Sequence, residues 1–467
     1  MLHPHQLHDY QKKAVNFQCT LPYSALFLDV GLGKTVITLT SIAHLINHQL
    51  LKAVVIVAPP RVCKLVWRQE ALKWSHTQHL KFSMLTGNRD QRSRALLQPA
   101  DIYLINYEKL GWLAEALQTY FKGKPLPVDG VVFDELDHMK NSTTQRVTSL
   151  KKVLPLIKWK SGLTGTPASN GYKDLHGQFL VLDGGQRLGE SKTKFMTQFY
   201  RKIPNAYKEE PYKDTETSIK QLISDITLNM SSDDYLKMPD FIVNDVNVEL
   251  PDKYRLMYDQ LESELFMLLD SGTEIELFNK GSLTNKCLQF SAGAVYPIAG
   301  LPAWEPIHDV KMDALDDIIS ESNGQPILCF YGFRFEAERI MDRFKDLRPI
   351  NLTACKSDKE LDNAMSRWQK GDCRLMISHP KSAAYGIDGL QKNGHIMVWS
   401  SLTWSLSQYI QAIGRLQRQG QGVPVICHRI IMKDTLDQAQ VLALAEKADN
   451  QNSLRKAIQD YRQMRKW

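Results

Sequence analysis

The chain has no apolar run approaching the roughly 18 residues that cross a membrane. Its start, Met1-Leu2-His3-Pro4-His5, lacks a basic region followed by an apolar core. Neither a membrane-spanning protein nor a secretory leader is expected. Cysteine is sparse and unpatterned: Cys19, Cys63, Cys287, Cys329, Cys355, Cys373 and Cys427 form no CxxC spacing. That argues against zinc ligation and a disulfide framework, and reads as reduced, buried thiols of a cytoplasmic protein. Internal repeats and low-complexity tracts are missing as well, so no repeat architecture is expected. What remains is ordinary for a globular protein, 43% hydrophobic and 23% charged, but 467 residues exceed what one core usually supports, so two or three domains are expected.

The net charge of +7 hides an uneven distribution: residues 171–310 carry 14 Lys and Arg against 22 Asp and Glu, while the rest carries 44 against 29. A polyanion such as nucleic acid is the natural partner of the basic flanks, and a solvated basic surface explains the same count. Residues 1–170 alternate helix-like stretches with apolar runs at Val54 to Ala58, Ile102 to Ile105, Val131 to Phe133 and Gly162-Leu163. A second alternation over 311–440 has runs at Ile327 to Tyr331, Leu375 to Ser378, His395 to Trp399 and Val425 to His428. The pattern predicts an α/β fold of two parallel sheets wrapped by helices. Between them, residues 171–310 show helical patterns at Tyr254 to Leu269 and Ser282 to Ser291 and a loop around Glu209 to Thr217, predicting a mainly helical insertion. Residues 441–467 place Leu454, Ile458 and Tyr461 on one face of a predicted C-terminal helix.

The most informative stretch is Leu28-Asp29-Val30-Gly31-Leu32-Gly33-Lys34-Thr35, after the apolar run Ala25-Leu26-Phe27 and before the helix-compatible Val36 to Ile46. Strand, glycine loop and helix suit a triphosphate. The backbone of Gly31, Leu32 and Gly33 would turn its N–H groups onto the phosphates, Lys34 would reach the β and γ oxygens, and Thr35 would hold Mg²⁺. A strict P-loop has glycine at position 28, where this chain has Leu28. A hundred residues on, Val131-Val132-Phe133 ends in Asp134-Glu135-Leu136-Asp137. Two carboxylates at the exit of a buried strand can divide the labour, Asp134 binding Mg²⁺ and Glu135 orienting and deprotonating the attacking water.

Near the other end stands Gln411-Ala412-Ile413-Gly414-Arg415-Leu416-Gln417-Arg418-Gln419-Gly420-Gln421. Arg415 and Arg418 are three apart, so on a helix both leave one face and could neutralise a transferring γ-phosphoryl. Gln11, 23 residues before Lys34, has the donor and acceptor needed to read an adenine edge, which favours ATP.

Taken in order, Tyr10-Gln11, Gly31-Leu32-Gly33-Lys34-Thr35, Asp134-Glu135-Leu136-Asp137, Leu163-Thr164-Gly165-Thr166-Pro167 with Asn170, and Gln411 to Gln421 resemble the motifs of superfamily-two helicase-like ATPases. Lys140-Asn141 and Trp404 bring the likeness closer to SWI/SNF-type translocases, of the small stand-alone bacterial and phage kind. The resemblance implies two RecA-like lobes, ATP and Mg²⁺ as cofactors, and an ATPase that moves along duplex DNA, in the cytoplasm of a bacterium or a phage-infected cell. It further implies catalytic roles for Gln411 and the two arginines, a nucleotide contact at Asp388, and coupling roles for Asp137, Thr164 and Thr166. Nucleic-acid contacts fall on Pro60, Arg61, Asn106, Tyr107, Thr166, Ser382 and Trp404. Gly386-Ile387-Asp388 departs from the translocase pattern towards strand-separating relatives. A DNA or RNA helicase, acting on a single strand or on RNA, is therefore one alternative; a motor subunit whose partner supplies the activity is another.

Overall fold

Short runs of Val, Ile and aromatic residues ending in glycine or polar turns are what a sheet buried on both faces needs, and they become the strands of a computed structural model. It describes residues 1–445 except 125, 170, 203–208, 237, 272–275, 298–302 and 384–386. Asn170, Gly386 and the expected helix beyond residue 445 lie outside the described residues. The chain forms two units, Met1–Leu236 and Lys237–Trp467.

The first unit is built on a seven-stranded sheet in the order Phe82–Met84, Ile102–Asn106, Val54–Ala58, Gly130–Asp134, Trp159–Thr164, Tyr23–Leu28 and Thr227–Met230. Every pairing in it is parallel. Helices Lys34–Asn47, Pro60–Lys73, Leu110–Tyr120 and Asp174–Asp183 provide crossovers and cover. The core under them holds Val55, Val57, Ile105, Phe133 and Phe179, with Phe27 and Phe179 meeting edge to face at 6.4 Å. Each such fully buried side chain stabilises the sheet by about 1.5–3 kcal/mol.

The second unit carries a six-stranded sheet, also all parallel, in the order Phe241–Val248, Val425–Met432, Ile396–Trp399, Ile327–Phe330, Leu375–Ser378 and Ile350–Asn351. Helices Asp252–Ser271 and Glu276–Ser291 lie against Leu436–Ala445 through a satellite core of Tyr258, Leu265, Phe290 and Leu436.

The helices expected over 171–310 are present, but the stretch is divided. Residues up to Met230 complete the first sheet, and Phe241–Val248 starts the second. The loop expected around Glu209 to Thr217 contains a strand at Glu209–Pro211 and the start of helix Thr215–Ile223.

Candidate nucleotide site

Strand Tyr23–Leu28 delivers the chain into the glycine loop, and helix Lys34–Asn47 leaves it. Gly31 (φ 94°) and Gly33 (φ 80°) are left-handed, a conformation that L side chains resist. At Gly33 space forbids a side chain as well, since a Cβ would lie 2.6 Å from the Gln11 amide nitrogen. Gln11 is buried against the loop: its Nε2 donates to the Leu32 carbonyl (3.3 Å) and its Oε1 accepts from the His8 amide (3.0 Å). The Lys34 ammonium donates to the carbonyls of Leu28 (2.7 Å) and Asp29 (3.3 Å). The loop is thus preformed, with its lysine folded back on the strand it follows. Thr35 is half-buried in the first turn of the helix.

Two strands away, Gly130–Asp134 ends in the carboxylates. Asp134 is buried and accepts a hydrogen bond at Oδ2 from the Trp67 indole (2.9 Å), supplied by helix Pro60–Lys73. Burial, then the neighbouring Glu135, push the Asp134 carboxyl above the usual carboxylate range, while Trp67 and Lys34 pull it down. Glu135 itself has φ 63°, the left-handed region, where a long side chain is strained and persists only if its surroundings hold it. Tyr107 helps to hold it. Its hydroxyl donates to the backbone carbonyls of Asp134 (2.8 Å) and Glu135 (3.1 Å), and its ring stacks on His138 at 4.6 Å. Asp137 is likewise pushed up by burial and by Glu135.

The third element of the cluster is strand Trp159–Thr164 and the turn after it. Thr164 accepts a hydrogen bond at Oγ1 from the Thr166 amide (3.0 Å), which fixes the turn. Gly162 lets Leu136 lie across the strand, where a Cβ would come within 2.5 Å of it. Position 165 faces the glycine loop, 3.6 Å from the Lys34 ammonium as measured from a Cβ built there. The glycine loop, the carboxylate strand and the Leu-Thr-Gly-Thr-Pro turn therefore meet at the carboxyl ends of adjacent parallel strands, where open α/β sheets bind ligands.

The remaining expected positions of the first unit separate. Pro60 is exposed and Arg61 half-buried at the start of their helix. Asn106 ends its strand with a buried Oδ1 that has no hydrogen-bond partner among the described residues. Tyr107 is the correction. Being 1% exposed and turned under the carboxylates, it has no surface here with which to touch nucleic acid.

In the second unit, helix Leu406–Ile413 stops at Gly414, so Arg415 and Arg418 do not share a helical face as expected. They lie in the turns that follow and still converge. Arg415 donates to the Ile387 carbonyl (2.7 Å), and Arg418 pairs with the Asp388 carboxylate (3.1 Å), which is 62% exposed. Gln411 is buried in the helix and donates to Ser407 Oγ (3.4 Å). Ser382 is half-buried, and Trp404 packs on the satellite core under helices Asp252–Ser271 and Glu276–Ser291. Trp67 and Asp29 were not anticipated. A lone tryptophan on an amphipathic helix gives no signal beyond core packing; Asp29, next to the glycine loop, offered its position.

The model of the SNF2-related domain matches residues 10–291, and that of the helicase conserved C-terminal domain matches residues 310–420. Protein p41 of Acyrthosiphon pisum secondary endosymbiont phage 1 is 32% identical over 97% of this chain and 96% of its own. An uncharacterized ATP-dependent helicase of Mycoplasma genitalium is 24% identical over 92% of this chain, which spans 40% of that relative's length. A solved SWI2/SNF2 ATPase core from Sulfolobus solfataricus, in complex with dsDNA, aligns over 98% of this chain and 96% of its own at 24% identity and a TM-score of 0.44.

Proposed function

This chain belongs to the SNF2-related family of helicase-like, nucleic-acid-dependent ATPases, and we propose that within it the protein is a DNA translocase that hydrolyses ATP to move along duplex DNA, gripping phosphates without regard to sequence. The observation that carries the reading is the meeting of Lys34, Asp134 with Glu135, and Thr164 with Thr166 at the carboxyl ends of neighbouring strands of one sheet, around a preformed glycine loop.

In this proposal the loop amides and Lys34 hold the phosphates, and Glu135 orients and deprotonates the attacking water. Gln11 steadies the loop on the base side. Thr35 and Asp134 are the residues that would hold Mg²⁺, and the fit is favourable. Asp134 is a carboxylate raised by burial and by Glu135, and a divalent cation would stabilise its charged form. An ion bound there would supply charge neutralisation for the phosphates. Arg415 and Arg418 add positive charge to the transferring phosphoryl in the ATP-bound state. For that, Arg418 must exchange the Asp388 carboxylate for phosphate, and the largely exposed Asp388 returns to water when it is released. Pro60, Arg61, Thr166, Ser382 and Trp404 are proposed to face nucleic acid, and Asp137 and Thr164 to couple that grip to the nucleotide. No helix among the described residues is long and apolar enough to cross a membrane; the cytoplasm of a bacterium or of a phage-infected cell is the proposed setting, in keeping with the phage relative.

The test is steady-state ATP turnover without nucleic acid and with single-stranded DNA, a blunt duplex or RNA, with Glu135→Gln as the blank. Stimulation by the duplex above the others supports translocation. Preference for a single strand or RNA moves the reading to strand separation, which Gly386-Ile387-Asp388 favours. No response to any of them points to a motor that waits for a protein partner.

A further inference from the structure

Strand neighbours in the first sheet decide which way a nucleotide lies at the glycine loop. The carboxylates stand at the end of Gly130–Asp134, two strands to one side of Tyr23–Leu28, and Thr227–Met230 is the neighbour on the other side. A nucleotide whose last phosphate faces Asp134 and Glu135 therefore runs its sugar and base away from them, towards Thr227–Met230. Gln11 already stands by the loop, donating to the Leu32 carbonyl (3.3 Å). Next to it, His8 stacks on Tyr10 at 5.4 Å, and Tyr10 meets Tyr235 at 4.9 Å with the rings tilted by 38°. Tyr10, in contact with both, is 5% exposed, whereas Tyr235 is 42% exposed. Tyr235 ends the single helical turn Ser232–Tyr235. A turn this short does not hold itself, and it is fastened from the loop instead. The Asp29 carboxylate accepts hydrogen bonds from the Ser232 amide (2.9 Å) and from the hydroxyls of Ser231 (3.2 Å) and Ser232 (3.3 Å), and the Asp29 amide donates to the Met230 carbonyl (3.2 Å). All of these contacts lie inside the first unit.

We propose that Tyr235 is the platform for the nucleotide's base, its exposed ring letting the base extend the His8, Tyr10 and Tyr235 stack, and that Asp29 is a positioning residue that ties this platform to the glycine loop. Stacking on an aromatic ring accepts any base, because every base has a π-face. Tyr235 therefore supplies affinity, while Gln11, with an amide that both donates and accepts, supplies the choice of adenine. Asp29 touches neither base nor phosphate through its carboxylate; it acts through Ser231 and Ser232 by holding the turn at a fixed place beside the loop. The platform rests on the use of ATP at this loop, not on movement along DNA.

The experiment is equilibrium binding of ADP, GDP and pyrophosphate to the full chain by calorimetry, pyrophosphate carrying the phosphates without a base. Tyr235→Ala is expected to raise the Kd of ADP and of GDP about tenfold each, so that the preference between them is kept, and to leave pyrophosphate unchanged. Tyr235→Phe keeps the ring and should stay within about twofold of the wild type. Asp29→Ala should weaken ADP about fivefold, the size of one lost hydrogen bond, and add nothing once Tyr235 is Ala, because it acts through that ring. Asp29→Asn, which keeps an acceptor for the Ser232 amide, should restore most of the affinity, and it replaces Asp29→Ala if that variant does not melt cooperatively. Unchanged ADP binding in Tyr235→Ala overturns the platform. So does an equal loss for pyrophosphate, which would mean a damaged loop, or a loss found only in His8→Ala, which would put the base at the other end of the stack. A wild type that binds none of the three overturns the platform and the use of ATP together. Expected losses at Tyr235 in a wild type whose ATP turnover ignores DNA leave the platform standing and remove only the translocase reading.

Discussion

The two units hold their reactive residues in opposite ways. In the first, Asp134 is buried under the Trp67 indole, Glu135 sits in a strained conformation over the Tyr107 hydroxyl, and the glycine loop is closed by Gln11 and Lys34. In the second, Arg415 and Arg418 lie in turns beyond a helix end, where Arg415 donates to the Ile387 carbonyl and Arg418 pairs with the largely exposed Asp388 carboxylate. The contrast fits two tasks. Groups that must be in place before the substrate arrives gain from a rigid, desolvated setting, while groups that must change partners during a cycle need contacts that are cheap to break.

The largest expected effect that sharpens this comparison is Glu135→Gln, which should keep ATP bound while turnover falls about 10²–10⁴-fold, measured by phosphate release beside nucleotide binding; normal turnover in this variant or in Lys34→Ala removes the site. Next comes Arg418→Ala. It should cost about 10²–10³ in kcat by removing transition-state charge, with a melting temperature close to the wild type's because the carboxylate it leaves behind is largely exposed. A large loss of thermal stability would show that the second unit is as rigidly built as the first. Trp67→Phe keeps a ring but deletes the donor to Asp134, and should lower kcat about tenfold while costing about 1–3 kcal/mol in a denaturant melt; a silent change would break the idea that the first unit is prearranged. The Asp137 carboxyl is raised in the fold, so the folded state binds the extra proton and stability falls as pH rises from the ordinary carboxylate range towards neutrality and above. Asp137→Asn should flatten part of that fall, raising Tm by about 2–4 °C at pH 8.5 and little at pH 5; the reverse order would mean that Asp137 is stabilised as a charge. Smallest is Asp388→Asn, expected to change stability by less than about 1 kcal/mol.

Much of this was legible because the chemistry and the strands coincide. Val54 to Ala58 and Leu375 to Ser378 are strands with the expected bounds, since fully buried parallel strands are written as continuous apolar runs. The glycine loop and Asp134-Glu135 follow their strands as anticipated. Thr227–Met230 and Phe241–Val248 escaped because they are edge strands, one ending in Asn-Met and the other alternating through Asn244, Asp245 and Asn247. Without them the division of the chain at Leu236 could not be read. Tyr107 looked like a surface contact because its position after a strand does not reveal which way the ring turns. The arginines looked helical because three-residue spacing says nothing of where a helix stops, although Gly414 stood between Gln411 and Arg415.

The order of strands in the first sheet also sets a schedule. Tyr23–Leu28, which carries the glycine loop, pairs on one side with Trp159–Thr164 and on the other with Thr227–Met230. Both neighbours are synthesised long after it. At about 5–20 residues per second, the loop-bearing strand waits roughly 10–40 s on the ribosome before its second neighbour exists. The nucleotide loop is thus made well before the strands that finish it. A nascent chain stopped short of Met230 should expose that strand's edge, to be caught by a chaperone or by another copy of itself.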